Sequence, residues 1–306
     1  MKKVFITLLA AILMIAMVGC ASSAQTPASS DSAAPSASAA SAESASTGNA
    51  VETAAANYFA NFTANPAVKW PDLFAKIDAG ESLFIVDIRQ QDVYDEGHIK
   101  GAYRASWGSD LAGKVSMLPK DKPVYIYCYT GQTAGQTVAL LKMLGIDAYT
   151  LQSGYVNGAQ KTEGYEKYVD KTATELPKAG AAFDAGVLSA VEKYFNEVAD
   201  NGNFQIKPAD AQPLIDAGKV AFVDVRQAAD YAKGHVKGAV NIPFGKGMQE
   251  QFKTLPKDKQ IIVTCYTGQT AGQTVAVMRM MGYNAVSLQG GMTNGWEAQS
   301  LPTVTD

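Results

Sequence analysis

Two cysteines stand in one repeated setting. Cys128 opens the run CYTGQTAGQTVA, and Cys265 opens an identical run 137 residues later. In each copy a short β-branched or aromatic stretch ends at the cysteine, and a segment with helical spacing follows. That places a thiol between a buried strand and a helix N-terminus, where open α/β sheets bind ligands. Gly131 and Gly268 can take backbone angles closed to other residues. The loops Tyr129-Thr130-Gly131-Gln132-Thr133 and Tyr266-Thr267-Gly268-Gln269-Thr270 can therefore turn successive N–H groups inward as anion-binding nests. A thiolate, the nucleophilic form of cysteine, would be stabilised there by those donors and by the helix dipole. The expected chemistry is nucleophilic, from two thiolates open to solvent and without a histidine base adjacent in sequence.

Rival chemistries fit less well. A cysteine phosphatase needs an arginine six residues after the cysteine, and Ala134 and Ala271 occupy those positions. A Cys128–Cys265 disulfide would join two loops that each look complete alone. No Cys-x-x-Cys pair exists for dithiol redox chemistry. Three cysteines and two histidines leave little room for a disulfide scaffold or a histidine-rich metal site, so no metal or organic cofactor is expected. A net charge of −3 lacks the basic excess of a nucleic-acid binder. A hydrophobic content of 47% suffices for packed cores.

The elements that position the cysteines repeat with the same offset. Phe84–Gln90 matches Phe222–Gln227 with its preceding Ala221, Gly97–Ala102 matches Gly234–Ala239, and Leu118–Lys122 matches Leu255–Lys259. A repeat this long is a whole domain rather than a solenoid unit. Leu83–Ile88, Val124–Tyr127, Ala221–Val225 and Ile261–Thr264 read as buried strands. Thr133–Leu144 and Thr270–Met281 read as helices stopped by Gly145 and Gly282. Trp70-Pro71-Asp72 and Lys207-Pro208-Ala209 look like helix starts with proline at the first helical position. The fold class is α/β: two tandem domains, 51–165 and 183–306, each with a mainly parallel sheet flanked by helices. A polar linker, 166–182, joins them. Lys142 and Arg279 read as solvated helix faces.

The amino terminus is of another kind. Lys2 and Lys3 precede the apolar run Val4–Val18, the charged and hydrophobic regions of a secretory signal. Met17-Val18-Gly19-Cys20 resembles the end of a bacterial lipoprotein signal. That resemblance implies removal of residues 1–19, lipidation of Cys20, and a chain held by a lipid anchor on a membrane of the cell envelope. Residues 20–50, mostly Ala, Ser, Thr, Pro and Gly, read as a disordered spacer because they bury too little apolar surface.

Asp87-x-Arg89, then Tyr94-x-x-x-His98-Ile99-x-Gly101-Ala102, then a strand ending in Cys128, resembles the rhodanese family of sulfurtransferases. Asp224, Arg226, Tyr231, His235, Gly238, Ala239, Cys265 and Gly290-Gly291-x-x-x-x-Trp296 carry the same resemblance in the second copy. The first copy ends Ser153-Gly154-Tyr155-x-x-Gly158, without the tryptophan. The resemblance implies a tandem sulfurtransferase in which Cys128 and Cys265 are nucleophiles carrying persulfides, and residues 129–133 and 266–270 bind the substrate. The donor would be thiosulfate or a small persulfide or polysulfide, and the acceptor a thiol or cyanide. Threonine at 133 and 270, where many relatives have arginine, leaves a neutral loop better suited to a polysulfide or small persulfide. Asp87, Arg89, Asp224 and Arg226 are expected as internal ion pairs, and His98 and His235 as backbone-bridging supports. Tyr129 and Tyr266 would line the pocket mouth. The alternative is a non-catalytic binding or sulfur-carrier module.

Overall fold

A computed structural model of the chain describes residues 37–178 and 180–305, with side chains from residue 48 onward. The signal region 1–19, Cys20 and residues 21–36 of the spacer lie outside the described residues. Among those described, no helix is long and apolar enough to cross a membrane.

The strands are β1 (Ala67–Val68), β2 (Phe84–Asp87), β3 (His98–Ile99), β4 (Tyr103–Arg104), β5 (Val124–Tyr127), β6 (Ala148–Leu151), β7 (Val169–Asp170), β8 (Gln205–Ile206), β9 (Val220–Asp224), β10 (Val240–Asn241), β11 (Gln260–Thr264) and β12 (Ala285–Leu288). The helices are α1 (Ala37–Ala60), α2 (Trp70–Asp78), α3 (Gln91–Glu96), α4 (Ser109–Ala112), α5 (Gln132–Met143), α6 (Gly154–Asn157), α7 (Ala185–Glu197), α8 (Pro208–Asp216), α9 (Ala228–Tyr231), α10 (Gln249–Phe252) and α11 (Gln269–Met280). Each copy builds a five-stranded sheet, β1-β6-β5-β2-β4 in the first and β8-β12-β11-β9-β10 in the second. Every pairing within these two sheets is parallel. Helices cover both faces, so β2, β5 and β12 are buried along their whole length. Gly145 and Gly282 follow the ends of α5 and α11 with φ of +78° and +81°, a region that favours glycine. Proline enters one residue later than expected in α2, where Lys69 is the cap and Trp70 the first helical residue; in α8, Pro208 itself is first.

One apolar core runs through the middle of the molecule. It joins Val86 and Ile126 of the first sheet to Val223 and Val263 of the second, through Val138 of α5 and Val275 of α11. A separate cluster closes the outer face of each copy, around Trp70 and Tyr127 in the first and Phe222 and Trp296 in the second.

The amino-terminal helix of each copy packs against the other copy. Phe59 of α1 sets its ring edge-on to Phe244 at 5.5 Å and to Phe252 at 6.1 Å, both in the second copy. Its carbonyl accepts a hydrogen bond from Gly247 N at 3.0 Å. Phe195 of α7 meets Trp107 of the first copy at 5.4 Å, again edge-on. Tyr58 Oη donates to Gln273 Oε1, and Tyr194 Oη donates to Gln136 Oε1 at 2.6 Å. Burial among these side chains pushes both phenols well above their ordinary value.

Two expected boundaries are corrected. Residues 37–50, read as disordered spacer, are helical as the start of α1. The segment contains no proline and is rich in alanine, the strongest helix former, so the helix anchored by Tyr58 and Phe59 extends back through it. Residues 166–174, read as linker, belong to the first copy. Tyr168 stacks on Phe74 with ring centroids 4.0 Å apart, and β7 pairs antiparallel with β3. The polar appearance of that stretch conceals its aromatic anchor.

Candidate active site

Strand β5 delivers Cys128 to the sheet's carboxyl edge, and Gly131, with φ of +96°, turns the chain into α5. The turn aims backbone donors at sulfur: Gly131 N lies 3.1 Å and Ala134 N 3.4 Å from Cys128 Sγ. In the second copy Gly268, with φ of +95°, places its N–H 3.1 Å from Cys265 Sγ. Both sulfurs thus sit at a helix N-terminus with amide donors on them, an arrangement that favours negative charge on the sulfur. The expectation of sulfurs open to solvent is corrected: Cys128 is 3% exposed and Cys265 2%. A second loop packs against the backbone of each cradle. Tyr155 N donates to Cys128 O and Met292 N to Cys265 O, both at 2.8 Å. Gly154 and Gly291 lie so close that an added Cβ would meet Gly131 N at 2.6 Å in one copy and Cys265 O at 2.6 Å in the other. Sequence reasoning gave these loops no role in the site, although the glycines at 154 and 290–291 were the available signal.

Not every residue assigned to substrate binding faces the cradle. Thr130 is exposed, Tyr129, Thr133, Thr267 and Thr270 are half-buried, and Tyr266 is exposed at the mouth. Tyr129 Oη accepts from Gln90 N at 3.3 Å, whereas Tyr266 Oη donates to Asp230 Oδ2 at 2.6 Å. Tyr129 also borders a surface cleft of about 670 Å³ with Tyr155, Tyr165, Glu96 and Lys171. Gln132 and Gln269 are corrected outright. Their side chains leave their own loops and bond across the boundary between copies: Gln132 Nε2 donates to Ser287 Oγ at 2.8 Å, and Gln269 Nε2 to Thr150 Oγ1 at 2.8 Å. The glycines at 135 and 272 make this crossing close, since a Cβ on either would strike the carbonyl of Gln269 or Gln132.

The family model for the rhodanese-like domain matches residues 71–161 and 207–299, most of the chain and both cysteine loops. The chain belongs to the rhodanese family. Three relatives each align with about one of its two domains. The tRNA sulfurtransferase of Pyrobaculum aerophilum is 38% identical over 74 residues, 24% of this chain and 15% of that protein. The sulfurtransferase of Allochromatium vinosum is 30% identical over 95 residues, covering 31% and 87%. The thiosulfate sulfurtransferase PspE of Escherichia coli is 37% identical over 73 residues, covering 23% and 69%. Together these support sulfur transfer as the general chemistry.

Around each rhodanese cradle lies a buried polar frame. Asp87 Oδ2 receives Arg89 Nη2 at 2.7 Å, and the same nitrogen donates to Gly97 O at 2.7 Å. Asp224, Arg226 and Gly234 repeat this at 2.7 Å each. Burial alone would lower the Arg89 guanidinium; hydrogen bonds and charge from Asp87 outweigh it and hold it above the ordinary arginine value. Tyr155 lies beneath that guanidinium, 3.9 Å from ring centroid to Cζ. His98 stacks on Tyr94 at 3.6 Å and sets Nδ1 against Tyr94 O at 2.8 Å and Nε2 against Thr172 O at 3.1 Å. His235 stacks on Tyr231 at 3.8 Å. Arg279, expected to be solvated, is half-buried with its guanidinium 3.7 Å over the Phe204 ring. Among the described residues no cluster could hold a metal ion.

Proposed function

We propose that the chain is a two-centre sulfurtransferase acting through persulfides on Cys128 and Cys265. The thiolate attacks the outer sulfur of a thiosulfate or polysulfide donor. The donor's S–S bond breaks, the leaving sulfite or shortened polysulfide takes the bonding pair, and Cys–S–S⁻ remains. An acceptor thiolate then attacks the outer sulfur, takes it as its own persulfide, and restores the cysteine thiolate. The observation that carries this reading is the amide pair on Cys128 Sγ, Gly131 N and Ala134 N, ready to hold negative charge on one or two sulfurs. The cradles contain no charged side chain, which favours a polysulfide or small persulfide over the thiosulfate dianion.

Intact-mass measurement after incubation with a donor panel tests it. One added sulfur per copy is expected, with Cys128→Ser and Cys265→Ser each removing one addition and the double variant both. No addition from any donor would leave the non-catalytic module, a reading favoured by the low exposure of both sulfurs. We further propose that Cys20 is lipidated and tethers the chain to an envelope membrane. Cys20→Ser is expected to move the protein from the membrane to the soluble fraction of fractionated cells, and unchanged membrane association would refute the anchor.

A further inference from the structure

Gln132 is the first residue of α5, next to the glycine whose amide touches Cys128, yet every hydrogen bond it makes through its side chain is with the second copy. Nε2 donates to Ser287 Oγ at 2.8 Å and to Leu288 O at 3.0 Å, and Oε1 accepts from Gly290 N at 3.2 Å. The residue is only 3% exposed. Gly290 opens the loop that covers the second cradle. Two residues on, Met292 N holds Cys265 O at 2.8 Å, and Thr293 N holds Tyr266 O at 2.8 Å. A Cβ on Gly268, whose amide faces Cys265 Sγ, would meet Gln132 Oε1 at 2.6 Å. Gln132 therefore touches both walls of the other copy's sulfur site.

The arrangement is reciprocal. Gln269 Nε2 donates to Thr150 Oγ1 at 2.8 Å and Leu151 O at 3.1 Å, and Oε1 accepts from Ser153 N at 3.5 Å. Ser153 has φ of +62°, a left-handed conformation unfavourable for a residue with a side chain, so the turn needs holding from outside. From that turn Tyr155 N reaches Cys128 O at 2.8 Å and Val156 N reaches Tyr129 O at 2.9 Å. The reciprocity, each glutamine answering the other across one boundary, is that of an isologous interface.

We propose that Gln132 is a positioning residue for Cys265 and Gln269 a positioning residue for Cys128, so that each sulfur site is completed by the opposite copy. Neither glutamine touches the reacting sulfur; each fixes the covering loop that sets the cradle amides and the access to the thiol. This rests on the reading of the two cysteines as reactive centres, but its test does not require sulfur transfer.

The test uses the full chain with Cys20→Ser throughout and with either Cys128 or Cys265 as the sole remaining thiol. Alkylation by iodoacetamide is followed from pH 5 to 9. Gln132→Met is expected to change the Cys265 rate and its pH profile by at least about fivefold, the equivalent of one lost hydrogen bond. The same variant leaves Cys128 within about twofold, because its own loop keeps the amides of Gly131 and Ala134. Gln269→Met is expected to give the mirror image. Equal changes at both cysteines, or a change confined to the glutamine's own copy, would overturn the proposal and reduce the pair to interface packing. Should methionine unfold the chain, Gln132→Asn and Gln269→Asn keep a polar amide but shorten its reach, and the same crosswise pattern is expected. If that pattern holds while no donor adds sulfur, the positioning role stands and the sulfurtransferase reading falls.

Discussion

Phe195→Ala is expected to loosen the first copy more than the second, although Phe195 lies in the second copy's own helix. The ring is fully buried and meets Trp107 edge-on at 5.4 Å. Truncating a buried phenylalanine costs about 3–5 kcal/mol, from lost transfer energy and the cavity left behind. Amide hydrogen exchange should show protection falling first around Trp107 and α4, which faces α7. Phe59→Ala should reproduce the effect around Phe244 and α10, where its ring packs against Phe244 and Phe252. If protection falls only within the copy that carries each phenylalanine, the exchanged packing of α1 and α7 is wrong. The same packing makes separated halves poor folding units, since each would lose the helix that covers it.

Asp87→Ala is expected to cost as much by a different route. The carboxylate is fully buried and holds Arg89 through Nε and Nη2 at 2.7–3.0 Å, as well as the Arg89 backbone amide at 2.9 Å. Removing it leaves a guanidinium buried with Gly97 O as its remaining hydrogen-bond partner, and breaking a buried pair in this way costs about 3–5 kcal/mol. Denaturant unfolding should show the loss, and Asp224→Ala should match it in the second copy. A double change, Asp87→Leu with Arg89→Met, should recover much of the stability, because burying two apolar groups leaves no uncompensated charge. A single variant that unfolds at the same denaturant concentration as the unsubstituted chain would show that the frame does not support the fold.

Much of this was legible in the sequence because local pattern and tertiary role agree. Val124–Tyr127 is an apolar run bounded by Pro123 and the cysteine, and it is β5 to the residue. Gly131 and Gly145 mark the two ends of α5, and their twins do the same for α11. The exchange of α1 and α7 was not legible. An amphipathic helix bearing Tyr194 and Phe195 announces that it needs a partner surface, not which copy supplies it. Gln132 was misread for a related reason. A polar residue beside a nucleophile suggests a ligand contact, and its real partners, Ser287 and Leu288, stand far along the chain. Residues 37–50 carry too few large apolar side chains to predict order, and alanine propensity becomes decisive only once the end of α1 is anchored on its neighbours.

The covering of Trp107 by Phe195 also sets a timetable. During synthesis the first sheet can assemble as soon as β6 emerges, but its exposed aromatic face stays naked until the chain has been made past α7. The second sheet waits for nothing, because its lid, α1, is made before any of its strands. The nascent protein therefore passes through a stage with one half finished except for a sticky open side, the kind of surface that aggregates or recruits chaperones. Slowing elongation between Asp170 and Phe195 should lengthen that stage and lower the yield of folded protein.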